Sequence, residues 1–198
     1  MSQRLQAVVM GGSAGALDGL QAILPALPAT FPLPIAVVVH LLSTKPSGLA
    51  GVLGEGCALA VREANDKERF AAGTVYLASP NYHLLIEKDG HLSLSVDPLV
   101  NFSRPAIDVL FESAAEAYGP ALLGVLLSGA NEDGARGLSR IRAAGGTTVV
   151  QSPDSAMARQ MPEAALRLFQ PDHVIPFAEM GPLLRALARV DAPAASSQ

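Results

Sequence analysis

The sequence predicts an α/β domain: a doubly wound, mostly parallel sheet with helices on both faces and one antiparallel hairpin. Three observations carry this. Short β-branched runs alternate with amphipathic segments of helical spacing. Those runs are apolar throughout, as strands covered on both faces must be. One Asp-Gly turn between two short strands interrupts the alternation once. The 198 residues suit a single domain. Hydrophobic residues make up 49% and charged residues 16%, the latter well below the roughly 25% of an average soluble domain, which excludes intrinsic disorder and favours a deeply buried sheet.

Each element follows from its residues. Leu5 to Met10 is an apolar strand closed by Gly11-Gly12-Ser13-Ala14-Gly15, and Ala16 to Leu27 then repeats leucine and alanine at helical spacing. Ile35 to His40, after Pro34, is a second strand buried on both faces, followed by the loop Ser43 to Gly48. Ser13 to His40 is the length of one βαβ unit, about 30 residues. Val75-Tyr76-Leu77 leads into Ser79-Pro80-Asn81, and Leu84 to Glu87 and His91 to Val96 flank the Asp89-Gly90 hairpin turn. Pro105 sits in the first turn of a helix whose Ile107, Leu110, Phe111, Ala114 and Ala115 share one face up to Tyr118. Ala121 to Ser128 is another buried strand, Gly129 to Gly134 its exit turn, Ala135 to Ala144 a helix and Thr147 to Gln151 a strand. Helices over 161–169 and 180–190 flank the short run His173-Val174-Ile175. The domain is expected over residues 1–190, with 191–198 a small, polar, disordered tail.

Several function classes fall away. A net charge of −4 does not suit a nucleic-acid partner, which needs a basic field. No apolar run is long enough for a signal peptide or a membrane span, so a cytoplasmic, soluble protein is expected. Cys57 is the only cysteine and reads as a small buried side chain. Arg62 to Arg69 is a mixed charge run, read as a solvated face. His83 and His91 flank the hairpin as surface residues and His173 enters a late strand; no pair among the four histidines has ligand spacing, so no metal is expected. Gly11 to Gly15 could cradle a phosphate. It lacks the G-x-G-x-x-G spacing and the P-loop lysine, and His40 stands where a ribose-binding acid belongs.

In open parallel sheets ligands bind beyond the carboxyl ends of the strands, near the point where strand order reverses. Ser13, His40 and Asp133 each follow a strand. Taken singly, Ser13 can be a turn former or helix cap, His40 a satisfied core histidine and Asp133 an N-cap. Together they are the set that activates a hydroxyl: a nucleophile, a base to take its proton, and an acid to orient that base. The glycines around Ser13 allow a sharp bend, and the helix after it offers free N–H groups.

The residues also match a known pattern. Gly12-Ser13-Ala14-Gly15, Val39-His40, Tyr76-Leu77-Ala78-Ser79-Pro80, Arg104 to Phe111, Gly129 to Ala135 and Met161-Pro162 occur in the order found in the catalytic domain of CheB, the chemotaxis protein-glutamate methylesterase. The chain resembles that family from about Val8 to Leu187. The resemblance implies hydrolysis of glutamate γ-methyl esters, and deamidation of glutamines, on the cytoplasmic helices of methylated chemoreceptors. Its catalytic Ser, His and Asp carry over onto Ser13, His40 and Asp133, and the oxyanion-facing N–H groups onto Ala14 and Ala130. Arg104 and Asn131 line the mouth in this reading, although a helix cap and a turn former are equally plausible roles there. No cofactor is implied. The family's receiver domain would precede the nucleophile by far more than twelve residues, so regulation by a separate regulatory or scaffold protein is expected. Ala14, Ala16 and Ala130 replace the family's usual hydroxyl residue, glycine and methionine. These changes keep two alternatives open, a serine esterase with another substrate and a non-catalytic binding module in a chemosensory complex.

Overall fold

A computed structural model of the chain describes residues 4–40 and 48–189. The expectations for the loop Ser43 to Ser47 and for the tail 191–198 therefore lie outside the described residues.

Among the described residues, nine strands and six α-helices alternate much as the apolar runs predict. The strands are β1 (Ala7–Gly12), β2 (Ile35–Val39), β3 (Ala60–Glu63), β4 (Thr74–Leu77), β5 (His83–Ile86), β6 (Leu92–Ser95), β7 (Leu122–Leu126), β8 (Thr147–Gln151) and β9 (His173–Ile175). The helices are α1 (Ala16–Ile23), α2 (Leu49–Gly54), α3 (Ile107–Tyr118), α4 (Ala135–Ala143), α5 (Gln160–Leu168) and α6 (Phe177–Ala188). Seven strands form one sheet in the order β3-β4-β2-β1-β7-β8-β9, every pairing parallel. β5 and β6 pair antiparallel as the expected hairpin, with Gly90 at φ 82° in its turn.

β1 is at the centre, and its alternation divides the core. Val8 and Met10 pack with Leu20, Ile23, Met180 and Leu184 on the side of α1 and α6, whereas Ala7 and Val9 pack with residues of α3, α4 and α5 on the other. All four are fully buried, and each valine-sized side chain so buried contributes roughly 1.5–3 kcal/mol. From β1 the chain winds one way through β2 and the other way from β7. The strand order thus reverses between β1 and β7.

Two elements were not read from the sequence, α2 and β3. β3 is an edge strand with exposed or half-buried residues, and its Arg62 grips Glu68 through two bonds of 2.8 and 2.6 Å while lying 4.8 Å from the Tyr76 ring centroid. The charge run is therefore only partly a solvated face. Pro105 precedes the N-cap, Ala106, so it lies outside the helix whose first turn it was expected to occupy. Cys57 is half-buried, its thiol directed at the Leu24 carbonyl 3.7 Å away; burial pushes the thiol up from its ordinary pKa.

Candidate active site

Register places two of the expected residues side by side. Gly12 on β1 pairs with Val39 on β2, and the N–H of His40 donates to the Gly12 carbonyl at 3.1 Å. Ser13 and His40 therefore leave adjacent parallel strands at the same carboxyl edge. Across the reversal point, the Ser13 N–H donates to the Ser128 carbonyl at 2.9 Å. Gly15, at φ 80°, then turns the chain into α1. The buried Ser128 hydroxyl holds this turn from below, donating to the Ala14 carbonyl at 2.6 Å and accepting from the Ala158 N–H at 2.8 Å. Among the described residues the Ser13 hydroxyl has no hydrogen-bond partner, and Ser13 itself is half-buried.

His40 meets Asp133 directly, Nε2 donating to Oδ2 at 2.8 Å. Asn131 lies on the other side of the ring, and the Asp133 carboxylate can only accept the Nε2 hydrogen. Asn131 Oδ1 accepts from the Asp133 N–H at 3.1 Å, which turns the amide nitrogen toward His40 Nδ1 at 3.4 Å. Nε2 thus carries the hydrogen and Nδ1 the lone pair, on the side of the ring away from the carboxylate.

Asp133 is fully buried and accepts from four donors. Besides His40, Oδ2 takes the Ile107 N–H at 2.6 Å; Oδ1 takes Asn101 Nδ2 at 2.7 Å and the Asp108 N–H at 3.1 Å. α3 has no side-chain cap of its own, so Asp133 caps it, and the helix dipole favours the charge. Asp108 returns the favour to α4, its Oδ1 accepting from Gly134 and Gly137 N–H at 3.0 and 2.7 Å. Asn101 Nδ2 also donates to Asp108 Oδ2 at 2.9 Å, so one amide ties two buried carboxylates together.

The two acids respond oppositely. Burial pushes Asp133 up, but the hydrogen bonds from His40, Ile107, Asn101 and Asp108 together outweigh it and hold the carboxyl below its ordinary value of 3.8. For Asp108, burial dominates, with the Gly137 N–H opposing it and the Asp133 charge adding to it, and the carboxyl is raised. A depressed folded value means that ionised Asp133 stabilises the fold above the unfolded pKa and loses that contribution as pH falls through the folded one. Asp108 runs the other way, since protonation relieves its burial. The stability gap between wild type and Asp133→Asn should therefore narrow as pH drops from about 5 to about 2.5, in urea unfolding. A gap independent of pH contradicts the ionised, bonded carboxylate.

The remaining expected residues fall as follows. The N–H groups of Ala14 and Ala130 have no acceptor among the described residues, and both residues are exposed at this edge. Asn131 lies against His40 rather than at the rim. Arg104 reaches into its own loop, Nη1 donating to the carbonyls of Val96 and Asp97 at 2.7 and 3.0 Å, while its buried Nε has no partner among the described residues. His83, expected at the surface, is 1% exposed: Nδ1 accepts from the Ala106 N–H at 3.2 Å and Nε2 meets the Pro98 carbonyl at 3.0 Å. Sequence reading missed His83, Asn101 and Asp108. Only the last carried a signal, an acid in the first turn of a helix.

Fold and constellation define a class, a doubly wound α/β domain with serine, histidine and a buried aspartate at its switch point. The chain belongs to the CheB methylesterase family, whose domain matches residues 8–184. A relative from Leptospira interrogans is 46% identical over 170 residues, covering 86% of this chain and 88% of its own length. Protein-glutamate methylesterase FrzG of Myxococcus xanthus is 37% identical over 177 residues, 89% of this chain but 53% of FrzG. The crystal structure of the Thermotoga maritima CheB methylesterase catalytic domain superposes with a TM-score of 0.87 at 31% identity, covering 93% of this chain and all of that one. Among the described residues no helix is long and apolar enough to cross a membrane.

Proposed function

We propose that residues 1–190 form a methylesterase catalytic domain that hydrolyses glutamate γ-methyl esters on chemoreceptors, and deamidates receptor glutamines, through Ser13, His40 and Asp133. The observation that carries this reading is the 2.8 Å bond from His40 Nε2 to buried Asp133, made directly after the strand adjacent to the one that Ser13 follows.

His40 Nδ1 takes the Ser13 hydroxyl proton as Oγ attacks the side-chain carbonyl carbon. The carbonyl oxygen becomes an oxyanion, for which the unpaired N–H groups of Ala14 and Ala130 are the donors at hand. Collapse breaks the carbon–methoxy bond, and His40 returns the proton so that methanol leaves and Ser13 holds the glutamyl acyl group. Water then loses a proton to His40, attacks the acyl carbon and releases the glutamate side chain and the Ser13 hydroxyl. With glutamine the same steps expel ammonia. Asp133, held ionised by its four donors, stabilises the imidazolium that forms twice per cycle. The reading places the enzyme in the cytoplasm, where receptor helices are modified.

The test is methanol release from methyl-labelled chemoreceptor membranes by wild type and by folded Ser13→Ala. Serine-dependent release is expected. Release that survives Ser13→Ala contradicts the nucleophile; wild-type hydrolysis of small esters alone points to another substrate; no hydrolysis of either points to a binding module.

A further inference from the structure

We propose that Phe102 is a docking residue for the protein substrate, seating in an apolar hollow on the helix that carries the reacting glutamate; the inference rests on the methylesterase reading above. Val100 and Ser103 bond each other across a two-residue turn, N–H to carbonyl, at 3.1 and 2.9 Å. The central residues, Asn101 and Phe102, have φ of 50° and 60°. Asn-Gly is the unstrained solution for such a turn; a bulky aromatic in the left-handed region is a costly choice.

The turn itself is offset by the bonds of Asn101 to Asp108 and Asp133, but among the described residues nothing offsets an aromatic side chain rather than glycine at its second position. Phe102 is 100% exposed, so its ring buries no area on folding. Val96 and Leu99 of the same loop are also exposed, at 67% and 59%. Yet the loop is tightly held: Arg104 binds the carbonyls of Val96 and Asp97, and His83 grips Pro98 and Ala106. An apolar tip on a fixed mount presents its surface without a large ordering cost on binding. A strained aromatic with no internal contact to offset it points to a role in recognition.

Position selects the partner. Asn101, the neighbouring residue, donates to Asp133 at 2.7 Å, so Phe102 stands one residue along the chain from the hydrogen-bond network that holds His40. What covers Phe102 is the macromolecule whose ester enters the site, because a free methyl ester has no second surface to offer. Its contact is apolar, matching Phe102, Leu99 and Val96.

The experiment compares wild type, Phe102→Gly and Phe102→Tyr on methyl-labelled receptor and on N-acetyl-glutamate γ-methyl ester. Glycine relaxes the turn, so Phe102→Gly should melt no lower than wild type. On receptor its KM should rise about 30-fold, the size of effect expected for a central aromatic anchor, with kcat within about twofold. Activity on the small ester should not change, and Phe102→Tyr should restore most of the receptor KM. An unchanged receptor KM in Phe102→Gly overturns the inference and leaves the methylesterase reading intact. A parallel loss on the small ester also overturns it, by making Phe102 a support of the site. Absence of receptor hydrolysis by wild type overturns both.

Discussion

Asp133→Asn should lower turnover on methylated receptor by about 10⁴, the loss measured for the equivalent change in a serine protease. The reason lies in the four donors around the carboxylate. An amide nitrogen in the Oδ1 position would face two donors, Asn101 Nδ2 and the Asp108 N–H. In the Oδ2 position it would face one fixed donor, the Ile107 N–H, and His40, whose ring can move its hydrogen. The second orientation is less costly, and it forces His40 to carry its hydrogen on Nδ1. The nitrogen meant to accept the Ser13 proton is then blocked. One opposed buried donor also costs about 1–3 kcal/mol of stability. Methanol release at saturating receptor, with circular dichroism to show a folded variant, checks this; a rate within tenfold of wild type removes Asp133 from its assigned role.

Gly134→Ala should be strongly destabilising. Gly134 has φ 91°, and an added Cβ would stand 2.6 Å from both Ile107 Cγ2 and Leu126 Cδ1. Left-handed strain of roughly 1–2 kcal/mol and overpacking of roughly 1–3 kcal/mol sum to about 2–5 kcal/mol. The same turn carries Asp133 and receives the Asp108 cap through the Gly134 N–H, so activity should fall too. Gly90→Ala is the control: its φ is 82° but open space surrounds it, leaving the strain alone. Urea unfolding should rank the two far apart, and equal losses would show that the contacts with Ile107 and Leu126 relax freely.

The readable parts of this chain were those whose signal is local. β1, β2 and β7 are uninterrupted apolar runs, and a buried parallel strand has little other way to be written. Ser13, His40 and Asp133 followed from the rule that open sheets work at the carboxyl ends of their strands. β3 escaped because Arg62 and Glu63 belong to an edge strand, where one half-exposed face leaves no apolar pattern. α2 escaped because Gly51 and Gly54 weaken its helical signal. His83 looked superficial beside a hairpin turn, yet its burial depends on Pro98 and Ala106 folding over it. Asn101 was opaque for the same reason, since bonding to Asp108 and Asp133 requires a turn with two left-handed residues. Arg104 was read as lining the mouth from its place near the site; its bonds to two backbone carbonyls of its own loop could not be read from the sequence.

The central claim is that Ser13, His40 and Asp133 act as one unit, and the most direct measurement is the methanol-release rate of Ser13→Ala, Asp133→Asn and the double variant on one receptor preparation. Residues that share a single step are strongly non-additive. The double variant should therefore be no slower than Ser13→Ala alone, because without the nucleophile His40 has no proton to take and its orientation no longer matters. Losses that multiply in the double variant would mean that Asp133 contributes by a route that does not pass through Ser13, and would contradict the triad.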